Sequence, residues 1–288
     1  MRSPAPLDRK ALGQHPLPAP AGGDKDANGQ ILIIAGSRDV PGAALLAAHG
    51  AMRAGAGRLK IAAPDEIAVP LGIAMPEAMV VGQPSHRDGG FARSAIAGLV
   101  DLAGRADAII AGPGLNPKNA APLGRKLLSL GKPLAVDAAL LRALIECEAE
   151  ARTSTVPPVL LPHSGELGAL LGCTREEVEA DPLEAGRRCA DRYRAMVLVK
   201  GAQSHVVAPD GTAWLYGGGS PGLGVSGSGD TLAGIVGGLL ARGADPLAAL
   251  LWGVWLHGEA GSALSRKVGP RGFFAREIPG EIPALLPD

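Results

Sequence analysis

The chain has 288 residues, 47% hydrophobic, 19% charged and 3% aromatic, with a mean hydropathy of +0.18. That length can bury a large core, and it fits one large α/β domain or two smaller ones. Its 28 basic and 28 acidic residues cancel, so neither nucleic acid nor an anionic membrane is the expected partner, and the few aromatics cannot build a base-stacking platform.

Residues 1–28 lack the apolar stretch of a secretory signal, and their prolines predict an irregular arm ahead of a single domain over residues 29–288. Beyond it no run of eighteen apolar residues is free of charge or turn residues, so no membrane span is expected. Cys147, Cys173 and Cys189 are odd in number and form no CxxC pair, which argues against a disulfide framework or zinc knuckle and fits the reducing cytoplasm.

From residue 31 the pattern is regular. ILIIAG (31–36) predicts a fully apolar strand, followed by a small-residue helix over GAALLAAHGAMRAG (42–55). Further strands are expected at 59–63, 78–82, 108–112, 133–138, 158–162 and 196–201, with a helix over FARSAIAGLVDLAG (91–104). Continuous rather than alternating apolar runs imply strands covered on both faces, as in a parallel sheet. Asp181-Pro182 and Asp245-Pro246 each read as an N-cap acid with proline at the first helical position. SHVVAPDGTAWLY (204–216) reads as a β-hairpin turning at Asp210-Gly211. Strands alternating with helices give an α/β doubly wound domain.

Ligands of such sheets bind beyond the carboxyl ends of the strands. The stretch GLGVSGSGDTLAGIVGGLLARG (222–243) is the most informative of the loops there. Leu232, Ile235, Val236, Leu239 and Leu240 fall on one helical face, so a helix starts near Ser228–Asp230 with glycines at its N-terminus. Free N–H groups unobstructed by side chains suit a phosphate. Asp230 in that first turn is either a simple dipole partner or a base beside an anion hole. GLGVSG (222–227) fits GxGxxG but lacks the preceding strand of a dinucleotide fingerprint. GGSPG (218–222) fits GxSxG, yet Pro221 has no N–H to offer an oxyanion. His163 and Glu166 read as a helix start with a first-turn acid, without a third ligand for zinc. Lys200 at the end of VLVK is either a surface lysine or a phosphate contact; His15, His49, His86, His205 and His257 form no pattern.

Five stretches in order resemble the ADP/ATP-dependent NAD(P)H-hydrate dehydratases of the ribokinase-like superfamily. They are 29–64, AGPGLNP (111–117), LPHSGELGALLG (161–172), VLVKGAQSHVVAPDG (197–211) and 217–243, and WGVWLHGEAG (252–261) looks like the family's following helix. The resemblance covers the chain after residue 28, without the epimerase domain that many relatives carry. It implies a ribokinase-like three-layer α/β/α domain with a mostly parallel central sheet. The implied activity restores hydrated NADH or NADPH (NADHX, NADPHX) at the expense of ADP or ATP with Mg2+, in a cytoplasmic homo-oligomer such as a tetramer. Asp230 matches the catalytic aspartate, with Gly227, Ser228 and Gly229 as the anion hole. Lys200, Gly201, Ala202, Gln203, Ser204 and Gly229 would hold the nucleotide, and Ala43, Gly114, His163 and Asp230 the hydrate.

The sequence departs from the family pattern at Ser220 for Asn, Gly224-Val225 for Ala-Thr, Asn116 for Gly and Ala139 for the second acid of DAD. Asp137 is kept, and Asp24-Lys25-Asp26 stands for HKG. Two other readings share the same residues: a small-molecule kinase that stops at the phosphate ester, and a non-catalytic nucleotide or metabolite binder.

Overall fold

The computed structural model describes residues 3–19 and 27–287. Ten strands are found among them: β1 (Ala5–Pro6), β2 (Gln30–Ile34), β3 (Arg58–Pro64), β4 (Ala78–Gln83), β5 (Ala108–Ala111), β6 (Leu134–Val136), β7 (Val159–Leu160), β8 (Met196–Val199), β9 (Ser204–Val207) and β10 (Ala213–Tyr216). The early helices are α1 (Arg9–Gly13), α2 (Gly42–Arg53), α3 (Asp65–Ala74), α4 (Ala95–Gly104), α5 (Ala120–Ser129), α6 (Ala138–Ala143) and α7 (Glu148–Thr153). They are followed by α8 (Ser164–Leu171), α9 (Arg175–Ala180), α10 (Pro182–Tyr193), α11 (Ser228–Ala241), α12 (Pro246–Lys267) and α13 (Ile278–Glu281).

The strands form one sheet in the order β1-β10-β9-β8-β7-β6-β5-β2-β3-β4. From β8 through β4 every pairing is parallel, and β9 alone runs against the rest. The apolar runs are continuous because both faces are covered. In β2, Ile31 and Ile33 pack into one core with α2, α11 and α12, while Leu32 and Ile34 pack into a second with α4, α5 and α10. Ile110 and Ile109 of β5 divide the same way. This is the three-layer α/β/α arrangement.

Within residues 3–19 the chain forms a short strand and a helix where its prolines suggest an irregular arm. β1 pairs with β10, and Asp8 caps α1 by accepting the Ala11 N–H at 2.8 Å. Asp24, Lys25 and Asp26 lie outside the described residues. The helix expected from residue 91 begins only at Ala95, because Phe91 is buried and bridges to Ser85 in the preceding loop. The caps at Asp181 and Asp245 form as read, with Asp245 accepting the N–H groups of Leu247 and Ala248 at 3.0 and 3.1 Å.

Two helices set the site. α2 and α11 lie against each other in the same direction, Leu46 beside Gly227, Ala47 beside Gly234 and Ala51 beside Gly238. The small residues are required: a Cβ on Gly234 would collide with the Ala47 carbonyl oxygen, and one on Gly50 would lie 2.5 Å from that of Thr231. Both N-termini therefore open on the same edge of the sheet, where their dipoles add.

Candidate active site

The start of α11 is bare. Gly227 is its N-cap at φ 87, without a side-chain cap, and a Cβ there would strike Leu46 Cδ1. Ser228 donates its amide to the Val225 carbonyl at 3.2 Å. Among the described residues no acceptor takes the amides of Gly227, Gly229 or Asp230. These are the orphan donors of a helix start, left open for an anion.

Three charged side chains meet beside it. Lys200, just past β8, donates to Asp137 Oδ1 at 3.1 Å, and Asp137, just past β6, is 4% exposed. Asp137 is pinned by its backbone. Its carbonyl presses so closely on Gly112 (φ 129) that no Cβ fits there, and the next residue, Ala138, sits at φ 48 in the left-handed region. A non-glycine residue there costs about 1–2 kcal/mol, strain characteristic of positions that hold a functional geometry. A Cβ placed on Gly229 would lie 3.5 Å from Lys200 Nζ and 3.7 Å from Asp137 Oδ2, so the helix start faces the ion pair.

Asp230 is the third member. Burial raises its pKa from 3.8 to about 7, repulsion from Asp137 adds to the rise, and Lys200 partly offsets it. Burial also pushes the Asp137 carboxyl upward, against the attraction of Lys200 and with repulsion from Glu166. Two carboxylates share one ammonium, so near neutral pH the group as a whole can take up or release a proton.

A cleft of about 800 Å3 opens on the same edge. Lys200, Gly201, Ala202 and Ser204 form one wall, residues 216–221 a second, and Ser228, Gly229 and His257 its floor. α12 fastens the second wall: Tyr216 Oη donates to Glu259 Oε1 at 2.8 Å, and Ser262 Oγ donates to the Gly219 carbonyl at 3.3 Å. His257 Nε2 lies 3.0 Å from Ser228 Oγ.

A family model described as NAD(P)H-hydrate dehydratase matches residues 31–284. The chain belongs to that family. It is 45% identical over 279 residues to the ADP-dependent (S)-NAD(P)H-hydrate dehydratase of Xanthomonas campestris pv. campestris, spanning 96% of this chain and 94% of the relative. Relatives named bifunctional NAD(P)H-hydrate repair enzymes are longer, and the chain spans about half of their length. The one from Moorella thermoacetica is 35% identical over 268 residues, 92% of this chain and 51% of the relative. The solved ADP/ATP-dependent NAD(P)H-hydrate dehydratase of Bacillus subtilis, co-crystallised with ATP/Mg2+, superposes with a TM-score of 0.82 at 27% identity, covering 99% of this chain and 98% of that one. A ribokinase-like superfamily protein from Enterococcus faecalis V583 gives the same TM-score of 0.82 at 24% identity over 98% and 94% of the chains, which establishes the fold as ribokinase-like.

Against the family pattern, the expected site residues fall into three places. Lys200, Gly201, Ala202, Ser204 and Gly229 line the cleft, whereas Gln203 does not. Ala43 and Gly114 touch one another at the carboxyl edge, a Cβ on Gly114 lying 2.7 Å from that of Ala43. Asp230 is not on the cleft wall but is coupled to Asp137 and Lys200 next to it. His163 caps α8, accepting the Gly165 amide at 3.0 Å, while Glu166 Oε2 accepts the His163 amide at 3.1 Å; this is the helix start read from sequence, and the ring also reaches the cleft.

Three sequence expectations are revised. Lys200 is not a free surface lysine, because Asp137 holds it beside the cleft. Ser228 cannot give its amide to an anion, because Val225 has it. His257, which formed no pattern, reaches into the site; its sole signal is a histidine inside the apolar run of α12. Two of the departures take part in local loop hydrogen bonds: Ser220 Oγ accepts the Gly222 amide at 3.2 Å and donates to the Pro270 carbonyl at 3.3 Å, and Asn116 Oδ1 accepts the Lys118 amide at 2.9 Å. Ser220 is thus engaged in shaping its own loop, consistent with setting aside the hydrolase motif.

Proposed function

We propose that this protein dehydrates hydrated NADH or NADPH back to NAD(P)H, using a nucleoside phosphate to activate the hydroxyl. The observation that carries the reading is Asp230: a carboxylate with a pKa of about 7, in the first turn of an uncapped helix, beside a lysine at the mouth of a cleft. A dipole partner alone would be an ordinary solvated acid. A general base works best when its pKa lies near the working pH.

The nucleotide lies in the cleft between the Lys200–Ser204 turn and Gly229, with its terminal phosphoryl group at the start of α11. Gly227 and Gly229 give amides to it, and Ser228 gives its hydroxyl. Ala43, Gly114 and His163 hold the hydrate from the other side. Asp230 takes the proton of the hydrate hydroxyl as its oxygen attacks the phosphoryl group. Phosphate is then the leaving group: the C–O bond breaks with its electron pair going to phosphate, and loss of a proton from the neighbouring carbon forms the ring double bond. Hydroxide would leave far more reluctantly, which is why the nucleotide is consumed.

No cluster of three or more His, Cys, Asp or Glu among the described residues could hold a metal ion by itself. Two carboxylates, Asp137 and Asp230, beside an anion site do fit a magnesium ion that arrives on phosphates and keeps most of its waters. When bound it neutralises phosphate charge. ADP is the donor favoured by the Xanthomonas relative's name.

No helix among the described residues is long and apolar enough to cross a membrane. The protein acts in the cytoplasm as a homo-oligomer, a tetramer; free Cys147, Cys173 and Cys189 support the first, and the exposed Val69, Ile73 and Met79 at the β4 edge the second. Incubating NADHX or NADPHX with Mg2+ and either ADP or ATP tests the function: nicotinamide absorbance returns with ADP. No recovery with either nucleotide overturns the reading, and a stable phosphate ester would make the protein a kinase instead.

A further inference from the structure

Ser228 has two hydrogens to offer an anion, and one is taken. Its amide is held by the Val225 carbonyl at 3.2 Å, so only the hydroxyl remains. A hydroxyl carries a single hydrogen whose direction its neighbour decides. That neighbour is His257, with Nε2 3.0 Å from Oγ, and both residues line the floor of the cleft.

The ring is neutral. Burial drives its pKa down to about 4, a hydrogen bond with the Ser228 backbone pulls upward, and the Lys200 ammonium pushes down again. A neutral imidazole has one N–H, and its position gives two opposite sites. With the proton on Nδ1, Nε2 accepts the Ser228 hydrogen and turns the serine lone pairs to the cleft, where they repel a phosphate. With the proton on Nε2, the ring donates to Oγ and leaves the Ser228 hydrogen free to point at the anion. The 3.0 Å contact accommodates either form, but only the second leaves Ser228 a hydrogen for an anion at the start of α11.

We infer that His257 is a positioning residue: its Nε2–H donates to Ser228 Oγ and thereby fixes the Ser228 hydroxyl as a donor to the transferring phosphoryl group. The inference rests on the phosphoryl-transfer reading of the site. α12 is suited to the task, because the same helix carries Glu259 and Ser262, which anchor the opposite wall. It also gives this serine–histidine pair a role distinct from hydrolysis: the serine stays protonated, and no bond to it forms.

The test uses the full chain with four variants: His257→Leu, His257→Gln, Ser228→Ala and the Leu/Ala double variant. Leu keeps bulk and removes the N–H; Gln returns an amide N–H near the place of Nε2. We expect His257→Leu and Ser228→Ala each to lower kcat about ten- to hundredfold, as loss of a hydrogen bond to a charged group does. KM for the hydrate should stay within about twofold, Gln should recover most of kcat, and the double variant should be no slower than Ser228→Ala. A second measurement needs no turnover: nitrogen NMR of the histidines in the wild type, with His257 assigned by the Gln variant, should show the proton on Nε2. A proton on Nδ1, an unchanged kcat in His257→Leu, or additive losses in the double variant overturns the inference. Absence of hydrate dehydration in the wild type overturns instead the functional reading beneath it.

Discussion

Replacing Asp230 by Asn should stabilise the ligand-free protein while abolishing turnover. In the unfolded chain this carboxyl ionises near 3.8, but in the folded protein it holds its proton to about 7. Between those values the folded state binds a proton that the unfolded state has released. The cost of ionising the buried group therefore appears as pH rises above 4 and is complete above 7. The ceiling, at 1.36 kcal/mol per pH unit, is about 4 kcal/mol, and partial solvation lowers it to about 2–4 kcal/mol. Asn has the same shape and no charge to desolvate. Urea unfolding without nucleotide, at about pH 4.5, 6 and 8, should show a gain that grows with pH and reaches about 2–4 kcal/mol at the top. A gain independent of pH, or a loss at pH 8, would refute the idea that burial and Asp137 hold the carboxyl high.

The same coupling sets the activity profile. kcat/KM should rise with pH through about 7 as Asp230 ionises, and Asp137→Asn should move that limb downward, because it removes the repelling charge and frees Lys200 for Asp230; a limb that stays put would exclude their coupling. Gly229→Ala separates stability from binding. Its methyl would sit 3.5 Å from Lys200 Nζ and 3.7 Å from Asp137 Oδ2, ordinary contact distances, and alanine suits a helix better than glycine by about 1 kcal/mol. Thermal stability should hold, while KM for ADP rises about tenfold or more because the methyl occupies the anion's place. Equal loss of stability and activity would count against an anion site there.

Strands covered on both faces were legible because every residue of ILII is apolar, and the structure sends alternate members of that run into two separate cores. The glycine-rich helix start was legible for a local reason: bare N–H groups and a first-turn acid are adjacent in sequence. What sequence left hidden is the pairing between distant segments. The ion pair joins positions 63 residues apart, and the Ser228–His257 contact joins positions 29 apart. β1, two residues long, exists only because β10 offers it an edge more than 200 positions later, which no local propensity encodes. The delayed start of α4 has a similar origin: backbone hydrogen bonds from Ala92 to Pro84 and from His86 to Gly90 fold residues 84–92 into a loop that pins Phe91. Asp137 stood out in sequence as a retained acid after an apolar strand, yet its hold on Lys200 could only be seen in three dimensions.

The central claim is that one carboxylate beside an open helix start drives phosphoryl transfer to a hydrate hydroxyl. It is tested most directly by measuring phosphate release and restored NADH together, in wild type and Asp230→Asn, with ADP affinity measured in both. The account predicts one phosphate per NADH restored in the wild type, and in the variant unchanged ADP binding with neither product formed at more than a small fraction of the wild-type rate. NADH restored without phosphate, or full turnover in the variant, would contradict it.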